Sequence, residues 1–217
     1  MEGDEALIPL FPLRKVLFPK GGFTLGVFEP RYRAMLADLE EAKGPWVFGI
    51  VLIERGREVG MEPDVHAIGT LARIERRWDT EELIHLTVRG LERFEIRAQE
   101  GGKPYPRAWV SPLPEEDGDP EACAELAAQV QASFRAYLRH TQPRGWRRVV
   151  PSDPRDLAYL VAQTVQCPLS EKQALLEAPT TQARLELETQ ILRRERRFFL
   201  RFGQGSSAER WGPFAVN

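Results

Sequence analysis

The stretch from Ile8 to Leu36, IPLFPLRKVLFPKGGFTLGVFEPRYRAML, narrows the folds open to this chain more than any other. Proline donates no ladder hydrogen bond and fixes its own φ, so the apolar pairs broken by Pro9 and Pro12 read as a short edge strand with few partners. Pro19, Lys20, Gly21 and Gly22 make a turn cluster. Phe23, Leu25 and Val27 then fall on one face of a second strand at period two. Pro30 opens a helix, because a first-turn N–H has no helical partner to lose, and Tyr32, Met35, Leu36 and Leu39 recur at three- and four-residue steps.

Trp46 to Ile53, after the Gly44-Pro45 break, is a nearly continuous apolar run that predicts a buried strand. Val65 to Asp79 reads as one long strand in which Gly69 marks a bulge or bend, as small barrels need at their corners. Asp79 to Glu82 close a hairpin, and on its return arm Ile84, Leu86 and Val88 alternate with His85, Thr87 and Arg89, giving one buried and one wet face. Gly90 bends that strand, Phe94, Ile96 and Ala98 continue it, and a last strand covers 108–113.

Pro114 to Pro120 is an acidic Pro/Gly linker, beyond which the pattern is helical. Asp119 caps a helix running from Pro120 to about His140, with Leu126, Val130, Phe134, Tyr137 and Leu138 on one stripe. Asp153 caps the next helix, ahead of Pro154. Ser170 and Gln173 have the spacing of a capping box for a short helix ending near Ala178, and Thr180 or Thr181 opens the last. The expected organisation is 1–113, 114–202, and a flexible C-terminal tail at 203–217.

The opening stretch resembles the first motif of the Lon protease N-terminal domain, with Pro12-Leu13-Arg14, Phe18-Pro19 and the Pro30-Arg31 helix start in place. Gly69-Thr70 and Gly90-Leu91-Glu92-Arg93 resemble the family's second signature. Glu171 to Glu177, EKQALLE, and Arg184-Leu185 resemble its helical half. The resemblance implies an α+β fold, a PUA-like β-barrel with a packed helix followed by an α-helical bundle subdomain. It also implies non-catalytic binding of exposed or partly unfolded polypeptide, in a groove between barrel and helices, by a stand-alone protein acting as an adaptor or regulator for a separate protease. Pro12, Arg14, Gly69 and Gly90 are expected to set this fold rather than touch a ligand.

The chemistry-bearing patterns point the same way. A complete Lon protease continues into an ATPase and a Ser-Lys peptidase, but Gly101-Gly102-Lys103-Pro104 lacks the spacing and hydroxyl residue of a phosphate loop. Ser170 and Lys172 stand two apart on a helix and point in different directions, so they make no dyad. His66, His85 and His140 lie on separate elements without metal-ligand spacing, and Cys123 and Cys167 read as buried thiols. No cofactor or metal is expected. The acidic start, Glu2, Asp4 and Glu5, does not resemble a signal peptide, and no apolar run would span a bilayer, so a cytoplasmic location is expected.

Partly exposed tryptophans anchor protein interfaces. The candidate protein-binding residues are therefore Phe18, Trp78, Trp146 and Arg148, with Trp46 and Trp109 assigned to the core. RNA binding is the alternative, through Arg139, His140, Arg144, Arg147 and Arg148 around Trp146 and through Arg193, Arg194, Arg196, Arg197 and Arg201. A net charge of -2 gives no global pull toward nucleic acid, and Glu186, Glu188 and Glu195 beside those arginines read as a solvated mixed-charge face.

Overall fold

The computed structural model describes residues 5–56, 63–142 and 149–202. It divides into two compact units, Met1–Pro114 and Glu115–Asn217.

In the first unit the strands are β1 (Ala6–Leu13), β2 (Gly22–Val27), β3 (Val47–Arg55), β4 (Asp64–Val65), β5 (Ile68–Asp79), β6 (Ile84–Glu100) and β7 (Arg107–Pro112), with helix α1 (Pro30–Glu41) between β2 and β3. The order β1-β7-β6-β5-β3 closes on itself because β1 also pairs with β3, so five strands form a barrel, while β2 lies on β6 and β4 on β3. Closure corrects the edge-strand expectation for β1. Its first half pairs antiparallel with β7 through Ala6–Pro9, and its second half pairs parallel with β3 through Leu10–Leu13. The prolines fit because the partners change between them. Leu10 donates its N–H toward β7, to Pro106 O at 2.8 Å, and backbone groups alternate sides along a strand. The Pro9 nitrogen therefore faces away from β7 and the Pro12 nitrogen away from β3, and neither ring removes a bond from its own half-ladder.

The strands bury side chains on both faces. Leu10, Val51, Phe94, Ala108 and Val110, with Leu71, gather at the barrel axis. On the opposite face Phe11, Phe48, Ile50, Leu86 and Val88 pack under Tyr32, Met35 and Leu36 of α1. This double burial explains the unbroken apolar run of β3. The Phe11 and Tyr32 rings stack at 4.1 Å, a pair worth about 0.5–1.5 kcal/mol beyond its buried area. The long strand expected over 65–79 is instead β4 and β5, separated at His66, whose N–H donates to Leu52 O at 3.0 Å. Of the two register shifts between β5 and β6, one lies just after Gly69, between Thr70 and Ala72, and the other between Ile74 and Arg76. Gly69 itself serves close approach, since a Cβ there would stand 2.6 Å from both Ile50 O and the Phe94 ring. Trp109, assigned to the core from its strand pattern, is 38% exposed.

The second unit contains α2 (Pro120–Thr141), α3 (Pro154–Thr164), α4 (Leu169–Glu177) and α5 (Thr181–Phe202). Asp119 and Asp153 cap α2 and α3 by accepting from Ala122 N and Asp156 N, each at 2.8 Å. The capping box expected at Ser170 is absent. Pro168 is the N-cap of α4 and its carbonyl accepts from Glu171 N and Lys172 N, so Ser170 already lies inside the helix. Gln173 is buried and donates to Glu177 at 2.8 Å.

Charge enters this helical core. Arg184 is fully buried and bonds Glu115 at 2.7 Å and Leu175 O at 2.8 Å, with its guanidinium 4.2 Å from the centre of the Tyr159 ring. Lys172 donates to Ala162 O and Gln163 O at the C-terminal end of α3, a favourable end for a cation, while burial pulls its pKa down to about 8. Glu188 and Glu195 are both 0% exposed, which corrects the solvated-face reading of α5. Desolvation pushes the Glu188 carboxyl well above the usual carboxylate range, partly offset by Arg184 and Lys172. Cys123 and Cys167 are free thiols, both buried.

Candidate functional site

Strand β2 and the entry to α1 frame an apolar pocket in the first unit. Period-two alternation sends Leu25 and Val27 inward, while Gly26 and Phe28 stay exposed. Pro30 at the first helical position turns the chain directly into α1, which brings Tyr32 across to Phe11. Phe11, Leu13, Leu25, Gly26, Val27, Phe28, Glu29 and Tyr32 line a cavity of about 220 Å³.

Its wall is apolar and its rim is charged. Phe28 is 51% exposed, and the Glu29 carboxylate pairs with Arg31 at 3.0 Å. The Arg31 guanidinium lies 4.7 Å from the Tyr32 ring centre, and Arg33 donates to Glu82 O at 2.8 Å, fixing the start of α1 against the β5–β6 turn. Cofactor and small-molecule sites generally measure about 300–1,000 Å³ with several convergent polar groups. A smaller apolar recess beside an exposed phenyl ring instead suits one large side chain. A second recess, about 350 Å³, lies in the helical unit between Ala174, Glu177, Ala178 and Pro179 and the α5 residues Ala183, Glu186, Leu187 and Gln190.

The candidates chosen from sequence do not converge on this pocket. Phe18 is 2% exposed, so it is core rather than contact surface. The turn after it explains why: Gly21 donates to Phe18 O at 3.0 Å, and that carbonyl would sit 2.2 Å from a Cβ on Gly90. Trp78 is 37% exposed on the outer sheet face, stacked on His85 at 5.0 Å with Arg76 above its ring. Trp146 and Arg148 lie outside the described residues, as do Arg144 and Arg147. Phe28 and Tyr32 were missed. The available signal was an aromatic one step past a strand ending in Gly-Val and two residues before a helix-opening proline, where a side chain has no strand neighbour to cover it.

Residues 7–194 match the model of the ATP-dependent protease La (LON) substrate-binding domain. This chain belongs to that family. The chain is 30% identical over 208 residues to the Lon protease of Anaeromyxobacter dehalogenans, covering 90% of this chain and 24% of that protein. It is also 30% identical over 199 residues to Lon protease 1 of Thermus thermophilus, covering 87% of this chain and 24% of that one. The chain thus spans about a quarter of these Lon proteases, the part matched by the substrate-binding model. The Lon N-terminal domain protein from Xanthomonas campestris superposes with a TM-score of 0.60 at 24% identity, over 83% of this chain and 95% of that one. The N-terminal domain of the Mycobacterium avium complex Lon protease gives 0.67 at 18% identity, over 87% and 98%. Both share the Lon N-terminal fold. Among the described residues no helix is long and apolar enough to cross a membrane.

Proposed function

We propose that this Lon-family domain binds exposed, unfolded segments of other polypeptides, and that the pocket between β2 and α1 takes one of their large apolar side chains. The observation that carries the reading is the apolar recess opening beside the half-exposed Phe28. Burying a Leu or Phe side chain there is worth about 1.5–3 kcal/mol, enough to select unfolded chain from folded surface but not to hold it permanently. Weak, reversible capture of this kind suits an adaptor or regulator that presents clients to a separate protease. Titrating the protein with a reduced, alkylated and therefore permanently unfolded protein tests this. Micromolar binding weakened about tenfold by Phe28→Ala is expected, from the loss of roughly one side chain's burial. Equal affinity for the folded form of the same client would refute it.

One observation favours a second reading. With Glu188 and Glu195 buried, the exposed face of the last turns of α5 is carried by Arg193, Arg196, Arg197 and Arg201, with Leu200 among them. Such a face suits the phosphates of RNA. Binding of a single-stranded RNA that falls steeply with salt, and with Arg193, Arg196 and Arg197 all changed to Gln, would establish it.

A further inference from the structure

We propose that the free edge of β2 receives the bound polypeptide as an added strand, so that main-chain hydrogen bonds align the segment while one of its apolar side chains enters the pocket. This rests on the polypeptide-binding reading and specifies how the ligand is held.

Among the described strands β2 pairs with β6 alone. Gly90 of β6 donates to Gly21 O at 2.8 Å, so the backbone of residue 21 faces β6. By alternation Phe23, Leu25 and Val27 also face β6, and the N–H and C=O groups of Thr24 and Gly26 point away from it. Folded proteins blunt such an edge with proline, lysine, a bulge or extreme shortness. β4, which pairs with β3 alone, is only two residues long. β2 reads GFTLGV, with no charge and no proline, and its register with β6 is regular throughout.

The glycines of the barrel unit's strands sharpen the point. A Cβ at Gly22, Gly49, Gly69 or Gly90 would meet a neighbour at 2.5, 2.7, 2.6 or 2.2 Å, so the fold itself requires glycine at each. At Gly26 the nearest atoms are the Leu83 methyls at 3.7 and 3.8 Å, ordinary contact, and its φ is not in the left-handed region. Intramolecular packing does not require glycine at 26, and the missing side chain leaves the wall of the recess open beside the outward edge. Gly26 also lines the pocket, so edge and recess form one site. The occupant is an extended heteropolypeptide rather than a second copy. On the outward row of Thr24, Gly26 and Phe28 the one large side chain is Phe28, which is itself pocket wall, so a copy pairing through β2 brings nothing to fill the recess.

The test uses the full chain and a set of ten-residue unstructured peptides with a central Phe, each N-methylated at one backbone position. Methylation at alternate positions is expected to weaken binding about tenfold through loss of one hydrogen bond and the accompanying clash, while the intervening positions change it less than about twofold. Gly26→Pro removes only the outward N–H, and is expected to weaken the unmethylated peptide to a similar degree with an unchanged unfolding midpoint. A flat methylation profile with binding still sensitive to Phe28→Ala overturns strand addition and leaves polypeptide binding standing. Absence of binding by any peptide or unfolded protein overturns both. A dimer in sedimentation that Gly26→Pro dissolves assigns the edge to a second copy and also overturns the proposal.

Discussion

Substituting Gly90 by Ala should destabilise the barrel unit far more than the same substitution at Gly26. A Cβ on Gly90 would stand 2.2 Å from Phe18 O and 3.0 Å from Phe18 C, and the atoms met are backbone, which no rotamer change relieves. Ordinary contact begins near 3.4 Å, so the turn at Phe18 must retreat by more than an ångström. Two hydrogen bonds hold it in place, Lys20 N to Gly90 O at 2.9 Å and Gly90 N to Gly21 O at 2.8 Å. Overpacking costs about 1–3 kcal/mol, and losing both bonds adds about 1 kcal/mol each, for a total of about 3–5 kcal/mol. At Gly26 the new methyl meets only flexible Leu83 at ordinary distance, and the substitution removes unfolded-state freedom, so the effect is between neutral and about 1 kcal/mol of stabilisation. Urea titration monitored by tryptophan fluorescence, with the slope held common, measures both. Similar midpoints for the two variants would refute the assignment of Gly90 to close backbone approach.

Three further outcomes follow from the same reasoning. Arg184→Met, which strips the pairing from Glu115 and the bonds to Leu175 O and Ala178 O inside the helical unit, should cost about 3–5 kcal/mol by calorimetry. Glu188 has its folded-state pKa raised by burial. Its contribution is therefore fully present below the ordinary carboxylate range and is lost as pH rises through that range toward the folded value. Each pH unit in this window removes about 1.4 kcal/mol, and Glu188→Gln should flatten that slope in melts recorded from pH 5 upward. Phe18→Ala should cost about 3–5 kcal/mol of stability, with peptide affinity unchanged at temperatures where the variant is folded.

The sequence was most legible where pattern and backbone chemistry agree. Pro30, Pro120 and Pro154 each stand at the start of a helix, and the alternation at Ile84, Leu86 and Val88 placed the buried face of β6. It was least legible where a tertiary partner decides. Pro9 and Pro12 look like edge markers, yet β1 changes partners between them, which no local pattern encodes. Glu188 and Glu195 look solvated because charge is the only cue available, and what admits them to the core is a buried Arg184, a half-buried Lys172 and Arg194 at 3.4 Å from Glu195. The pocket was invisible for a related reason. Its wall joins Phe11, Leu25 and Tyr32, three residues from separate elements that sequence reasoning had each assigned simply to an apolar face.

Hydrogen–deuterium exchange on the full chain, with and without a permanently unfolded client protein, tests the binding site most directly. Slowed exchange at the amides of Thr24, Gly26 and Phe28, with the barrel interior unchanged, is the expected result. Protection confined to α2–α5, or none in 22–32, would contradict it.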